Sequence, residues 1–562
     1  MKRIIPFLLV FSLLLAGCGS VKPKETVPDG TEINEAKTDE THILLSDNGV
    51  TVDGENIGSD SAQAVYAAND IVYYEEGRDF TYGEGTAEDE HSADEAAAHT
   101  VVHITRPGTY RLSGTLSQGQ IAVDLGEGAK TDPSAVVTLI LDGVNVSCTV
   151  APAVIFYNVY ECGDKDDPRM DVDTTAAGAN VLIADGSTNN ITGSYVARIY
   201  ESVVLSQDGT EVVDSKKLHK YDAAFYSKMS MNVSGGQQGN GVLNITAENE
   251  GLDSELHLTV NGGMINIISG NDGINTNEDG VSVTTINDGS VYIYVNGSTG
   301  EGDGIDSNGW LVINGGSVKA AAYALSADSG IDADNGVYIN GGTVVATGNM
   351  LDRIEGSQTW AVFSFARQQS GGTYTMRSAD GNEVLAVTPN AEGYINMIIS
   401  SPKLIPGTYT LWLGEQQLGG FASQGGMGGF GGPFVPGERP EPPEGFEEGE
   451  RPGPWGREDG VIVRPIPGTE GDNGGEGRDG VSVIPIPPEG EGSVDDDFNM
   501  APPERGENGG EMPPPEGFED GMGIPGGFDG DVGGVMIGQQ SSEFVINEGA
   551  NYFSFVDVLS AE

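Results

Sequence analysis

The sequence predicts an all-β protein: a parallel β-helix solenoid with a C-terminal β cap and a disordered Gly/Pro-rich insertion. Three observations predict it. Gly supplies 85 of 562 residues, about twice its usual share, and each Gly inside a helix costs about 1 kcal/mol. From about His99 the chain runs in short β-branched segments separated by Gly and Asx, such as Val101–Thr105, Val136–Leu141 and Val181–Ala184, the pattern of strands with turn signals. Between His219 and Gly348 a strand–turn–strand unit then repeats, with a marker Asn at 261, 287, 314 and 340. Intervals of 26, 27 and 26 residues without a helical period are the mark of a β solenoid.

The elements follow in order. Met1–Cys18 has a basic start at Lys2 and Arg3, an apolar run from Ile4 to Leu15, and small residues, which is a secretory signal. Its end, Leu15-Ala16-Gly17-Cys18, resembles the lipobox of bacterial lipoproteins. That resemblance implies cleavage before Cys18 and lipidation of Cys18, placing the protein on the extracellular side of the bacterial cell membrane. Residues 19–61 are polar and aperiodic and read as a flexible tether. Residues 62–350 carry the solenoid.

Leu258 and Val260, Thr284 and Ile286, Leu311 and Ile313, and Val337 and Ile339 fall on one face, with Ile265, Val291, Val318 and Val344 matching after the turn. Stacked coils make these internal ladders, each aliphatic side chain contributing about 1.5–3 kcal/mol. The marker Asn and its glycines suit a corner that needs positive φ. Polar insertions interrupt the coils at Glu161–Thr175 and Arg198–Lys220. Residues 351–419 lose the period but keep strand-like runs and hairpin signals such as Ser378-Ala379-Asp380-Gly381, as expected of a cap over the open end of a solenoid. Residues 420–540 are rich in Gly, Pro and Glu and cannot bury a core. Residues 541–562 return to strand-like sequence at Phe544–Val558, so the tract reads as an insertion and the C-terminus as a strand pairing back onto the cap.

Charge narrows the partners. Lys and Arg number 27 against 85 Asp and Glu, a net charge of −58. Such a surface repels phosphate backbones, which excludes nucleic acid as a ready partner. Cys148 and Cys162 remain after Cys18; a disulfide and two separate thiols are both open. Neither has a Cys or His neighbour at zinc spacing.

A second repeated element reads NEGLDSE from Asn249, NDGINTN from Asn271, GDGIDSN from Gly302 and DSGIDAD from Asp328. One residue before its Gly stand Glu250, Asp272, Asp303 and Ser329; two after it stand Asp253, Asn275, Asp306 and Asp332. Coils stack about 4.8 Å apart, and two carboxylates at ~5 Å repel by roughly 3 kcal/mol at an effective dielectric near 20. Such a file must be protonated, splayed into water, or neutralised. Carboxylate and carbonyl oxygens suit Ca²⁺, making Asp253, Asp272, Asn275, Asp303, Asp306 and Asp332 candidate ligands; the alternative is a solvated acidic edge. Alternation also turns Tyr292, Tyr294 and Trp310 outward, with Lys319 beside Tyr292 one coil later. Flat aromatics on a regular β surface suit stacking on sugar rings, and they also occur as plain surface decoration.

The run VVHITRPGTYRLSGTLSQGQIAVDL from Val101, then VTLILDGVNVS from Val137, then the Asp-Gly-Ile coils, resembles the calcium-containing carbohydrate-binding β-helix domains of cellulolytic clostridia. The resemblance spans roughly Ile71–Gly414. It implies a right-handed parallel β-helix of pectate-lyase-like shape that binds plant polysaccharides such as cellulose or polygalacturonate, with structural calcium on the matching Asp positions. The two solenoid insertions and the Gly/Pro-rich tract depart from that pattern. A calcium-dependent lyase or a hydrolase is the rival. A lyase needs a strong base near the metal, yet Tyr221–Met350 offers only Lys228, Lys319 and His257. Binding is therefore expected over catalysis. A surface adhesin or spacer is the third reading.

Overall fold

A computed structural model describes residues 40–391, 393–423 and 540–559. The signal segment with Cys18, most of the tether and most of the Gly/Pro-rich tract lie outside the described residues. The described chain is nearly all β, with one short α-helix at Ala93–Ala97 and one 3-10 turn at Glu127–Thr131.

The strands stack in three parallel ladders, the third of which ends at Ile274–Thr276 with a single bridge from Ile274 to Ile305 beyond it. The first stacks Ala179–Ile183, Met231–Gly235, His257–Val260, Val283–Ile286, Trp310–Ile313 and Val337–Ile339. The second stacks Thr188–Gly193, Val242–Ala247, Met264–Ser269, Ser290–Val295, Ser317–Ala321 and Thr343–Gly348. The third stacks Thr100–Ile104, Gly119–Asp124, Val154–Asn158, Ala223–Ser227, Glu250–Ser254 and Ile274–Thr276. Register is strict because a slip of one residue would turn every inward aliphatic outward. Leu258 stacks on Thr284, Leu311 and Val337, and Ile265 on Val291, Val318 and Val344; all are buried.

The Asn-Gly-Gly corners join the first ladder to the second. The residue two after the marker Asn takes the left-handed region: Gly263, Gly289, Gly316 and Gly342 have φ of 92°, 99°, 74° and 80°. The Asn itself does not, so its recurrence has another cause. Each Asn amide hydrogen-bonds the next: Asn287 Nδ2 donates to Asn261 Oδ1 at 2.9 Å, Asn314 to Asn287 at 3.0 Å, and Asn340 to Asn314 at 3.1 Å.

Residues 40–56, expected in the tether, instead form strands. Glu40–Leu45 adds in parallel to Gly108–Leu116 and buries Ile43 and Leu45, so the polar composition of the segment hid a two-residue alternation. At the far end, Tyr394–Ser400 pairs antiparallel with Thr343–Gly348 and closes the second ladder. The cap has its own core around Phe363, Tyr374, Tyr394, Phe544 and Phe553. Tyr374–Ser378 and Glu383–Val387 form the hairpin signalled by Asp380-Gly381, with Gly381 at φ 83°. Ala550–Val558 pairs in parallel with Trp360–Gln369 and antiparallel with Gln416–Ser423.

Candidate functional site

The acid positions line up as the repeat predicts. Asp253 is registered with Asn275, and main-chain bonds continue the file, Asp306 N donating to Ile274 O and Asp332 N to Ile305 O. The acids are not a solvated edge. Asp253 is 0 % exposed, Asp272 2 %, Asn275 5 %, Asp306 7 % and Asp303 8 %; Asp332 is partly buried. Burial pushes the Asp253 and Asp303 carboxyls well up, reinforced at Asp253 by Glu250 and at Asp303 by Asp272. Glu250 rises to about 8, by burial first and Asp222 second, and Asp332 to about 8, by burial first and Asp352 second.

Hydrogen bonds hold the files in place. Asp272 Oδ1 accepts from Asp303 N at 2.7 Å, and Asp303 Oδ1 from Ser329 N at 2.6 Å. Asn277 Nδ2 donates to both Asp253 oxygens at 2.8 and 2.9 Å, and Asn275 Nδ2 donates to Glu250 Oε1 at 3.0 Å. Glu250 Oε2 and Asn275 Oδ1 are buried without a hydrogen-bond partner. An all-oxygen donor set with orphaned acceptors fits a hard cation. Among the described residues, no three His, Cys, Asp or Glu side chains converge on one point, so such a cation would draw on Asn and main-chain oxygens as well.

The expectation that the acids lack a nearby base needs correcting. The Arg198–Lys220 insertion folds partly as a hairpin, Tyr200–Leu205 against Val212–Lys217, and carries cations to the start of the file. Arg198 Nη2 lies 3.9 Å from Asp222 Oδ2, and Lys220 and Lys217 also draw down the Asp222 carboxyl, which burial otherwise raises. Linear sequence could not show this, because those bases lie before the first acid element at Asn249.

The aromatic candidates do not form one platform. Tyr292 and Lys319 are neighbours on the second ladder, and Tyr292 is 38 % exposed. Tyr294 is two residues along the same strand, between Ile268 and Ala321. Trp310 opens a strand of the first ladder, opposite Val283. Tyr292 instead continues a second amide file. Asn190 donates to Asn145 at 2.6 Å, Asn244 to Asn190 at 2.9 Å and Asn266 to Asn244 at 2.9 Å, and Asn266 is registered with Tyr292. Cys148 and Cys162 are free thiols, each pushed up to about 11, chiefly by burial.

The repeat pattern does not announce a groove of about 590 Å³ on the outer face of the first ladder. Its floor includes Asn232, Thr259 and Thr285; one wall is the Asn261–Asn287–Asn314 file, and the other is residues 170–175 of the 161–175 insertion. Its only signals in the sequence are the marker Asn, expected as a corner device, and the insertion, expected as an interruption.

The family model of the carbohydrate-binding domain-containing protein matches residues 98–381, the stretch that holds the ladders and the start of the cap. A carbohydrate-binding domain-containing protein of Acetivibrio thermocellus is 28 % identical over 167 residues, covering 30 % of this chain and 44 % of that relative. The chain thus matches less than half the length of that relative. A solved structure described as a polysaccharide lyase-like protein from C. thermocellum, a gadolinium derivative, aligns at 21 % identity over 56 % of this chain and 95 % of that one, with a TM-score of 0.29. With its family match spanning half of its length, the chain belongs to the carbohydrate-binding domain-containing protein family.

Proposed function

We propose that the protein binds polysaccharide of the plant cell-wall type at a bacterial cell surface, held there by a lipid on Cys18. In this reading the three ladders wind as a right-handed parallel β-helix, and calcium occupies the acid files through Asp253, Asp272, Asn275, Asp303, Asp306 and Asp332. The observation that carries the reading is the coincidence of the family match, residues 98–381, with ladders whose outward faces carry files of hydrogen-bonded Asn amides. Regularly spaced polar groups on a rigid surface suit a regularly repeating polymer. Calcium would supply positive charge to carboxylates that burial otherwise forces toward the neutral form.

Co-sedimentation with cellulose and with cross-linked polygalacturonate, in calcium and in chelator, tests the reading. Retention on at least one polymer is expected, and weaker retention in chelator if calcium organises the fold. Absence of retention on both would sink it.

A catalytic reading has one observation in its favour, the arrival of Arg198 beside Asp222 at the head of the acid file, because a lyase needs a base near its carboxylates. Incubation with polygalacturonate and calcium, followed for unsaturated uronate ends, separates the two readings. Binding alone predicts no such product.

A further inference from the structure

The groove on the first ladder has no part in the acid files, and its lining specifies a ligand class. We infer that it is a subsite for an extended, neutral, hydroxyl-rich glycan chain. The inference rests on the polysaccharide reading above and narrows it to one face and one charge class.

The walls are built features. Thr174 of the insertion reaches the ladder, its hydroxyl 2.7 Å from both Asn232 Oδ1 and Thr259 Oγ1, while Asn232 Nδ2 donates to Thr174 O at 2.7 Å. At the other end of the insertion Glu161 Oε2 accepts from Ser230 N at 2.8 Å. These contacts bury Asn232, Thr259 and Thr174, and Thr285 and Val312 continue the lining. Its volume falls in the size class of ligand clefts.

The opposite wall offers a repeating donor and acceptor. Asn287 and Asn314 each spend one N–H and one lone pair on the file, and a primary amide has a second of each. The file is exposed at every step. Its spacing is that of stacked strands, about 4.8 Å, close to the length of one pyranose unit in an extended chain. Paired hydroxyls on successive sugars can therefore meet successive amides without a change of register.

Charge decides between neutral and acidic glycans. The lining contains Asp171 and Asp173 and no Lys, Arg or His. The neighbouring Arg169 is already engaged by both oxygens of Asp171, each at 3.0 Å. A uronate chain entering here would meet like charge at short range, and a neutral chain would not.

The test is calorimetric titration of the full chain, in calcium, with cellohexaose and with hexagalacturonate, beside the sedimentation assay above. Thr285→Trp fills the floor from an outward-facing position; Asp171→Lys reverses a wall charge on the exposed insertion and leaves the ladders untouched. The expected result is that cellohexaose binds, Thr285→Trp weakens it tenfold or more at an unchanged melting temperature, and Leu325→Ala, at an exposed turn position outside the groove, changes it less than twofold. Asp171→Lys should strengthen hexagalacturonate binding severalfold, a gain that misfolding cannot mimic. Cellohexaose binding unaltered by Thr285→Trp would overturn the groove while leaving polysaccharide binding intact. Equal or tighter binding of hexagalacturonate by the unmodified chain would overturn the neutral class. Failure to sediment with any polymer would remove both the groove and the reading beneath it.

Discussion

Replacing Glu250 by Gln tests whether the acid files hold buried carboxyls that resist ionisation, as their burial requires. Glu250 is 6 % exposed, and burial followed by the nearby Asp222 raises its carboxyl from 4.5 to about 8. The folded protein therefore holds this proton more tightly than the unfolded chain does. The contribution to stability is full below about pH 4.5, falls as pH rises, and is lost by the folded value near 8. At about 1.4 kcal/mol per tenfold change in proton affinity the ceiling is about 5 kcal/mol. Attraction from Lys220 and the bond from Asn275 Nδ2 oppose the rise and are already contained in that value. Gln keeps an oxygen for Asn275 and cannot ionise. In chelator, thermal melts from about pH 5 to about pH 8 should fall more steeply for the unmodified chain, leaving Glu250→Gln the more stable by about 2–5 kcal/mol at the alkaline end. Parallel curves would refute the reasoning, since they would mean that Glu250 ionises as freely in the fold as in water.

Four further outcomes are expected. Asp306→Asn should lower the melting temperature in calcium and leave it nearly unchanged in chelator; equal loss in both would remove Asp306 from the calcium set. Gly273→Ala should destabilise by about 1–3 kcal/mol or more, because a Cβ there would sit 2.1 Å from Ile293 Cγ2 and 2.6 Å from Gly304 O. Gly58→Ala, with nothing within 4 Å of its Cβ, should stay within about 0.5 kcal/mol of the parent when both glycine variants are unfolded by denaturant titration. Replacing residues 424–539 by a short Gly/Ser linker should preserve the cap and raise its stability by no more than about 2 kcal/mol through loop closure. Gly420 and Ser541 already exchange two main-chain bonds of 2.9 Å across the ends of the tract, and a lower melting temperature would show that the tract itself supports the cap.

The sequence by itself determined the repeat and its register. Strands stacked in register demand the same kind of side chain at the same place in every repeat, so Leu258, Leu311 and Val337, or Glu250, Asp272 and Asp303, align on periodicity alone. It also marked the end of the repeat, the cap hairpin at Asp380-Gly381 and the strand that returns after the low-complexity tract. What periodicity cannot encode is what covers each face, because covering segments come from parts of the chain outside the period. Tertiary structure decided that the acids are buried, that Arg198 and Lys220 reach the head of their file, and that Trp310 stands on a different ladder from Tyr292. It also turned the marker Asn from a corner residue into one wall of a groove. The other wall, the 161–175 insertion, acquires its place only through Thr174 and Glu161, whose partners on the ladder lie 58 and 69 residues further along the chain.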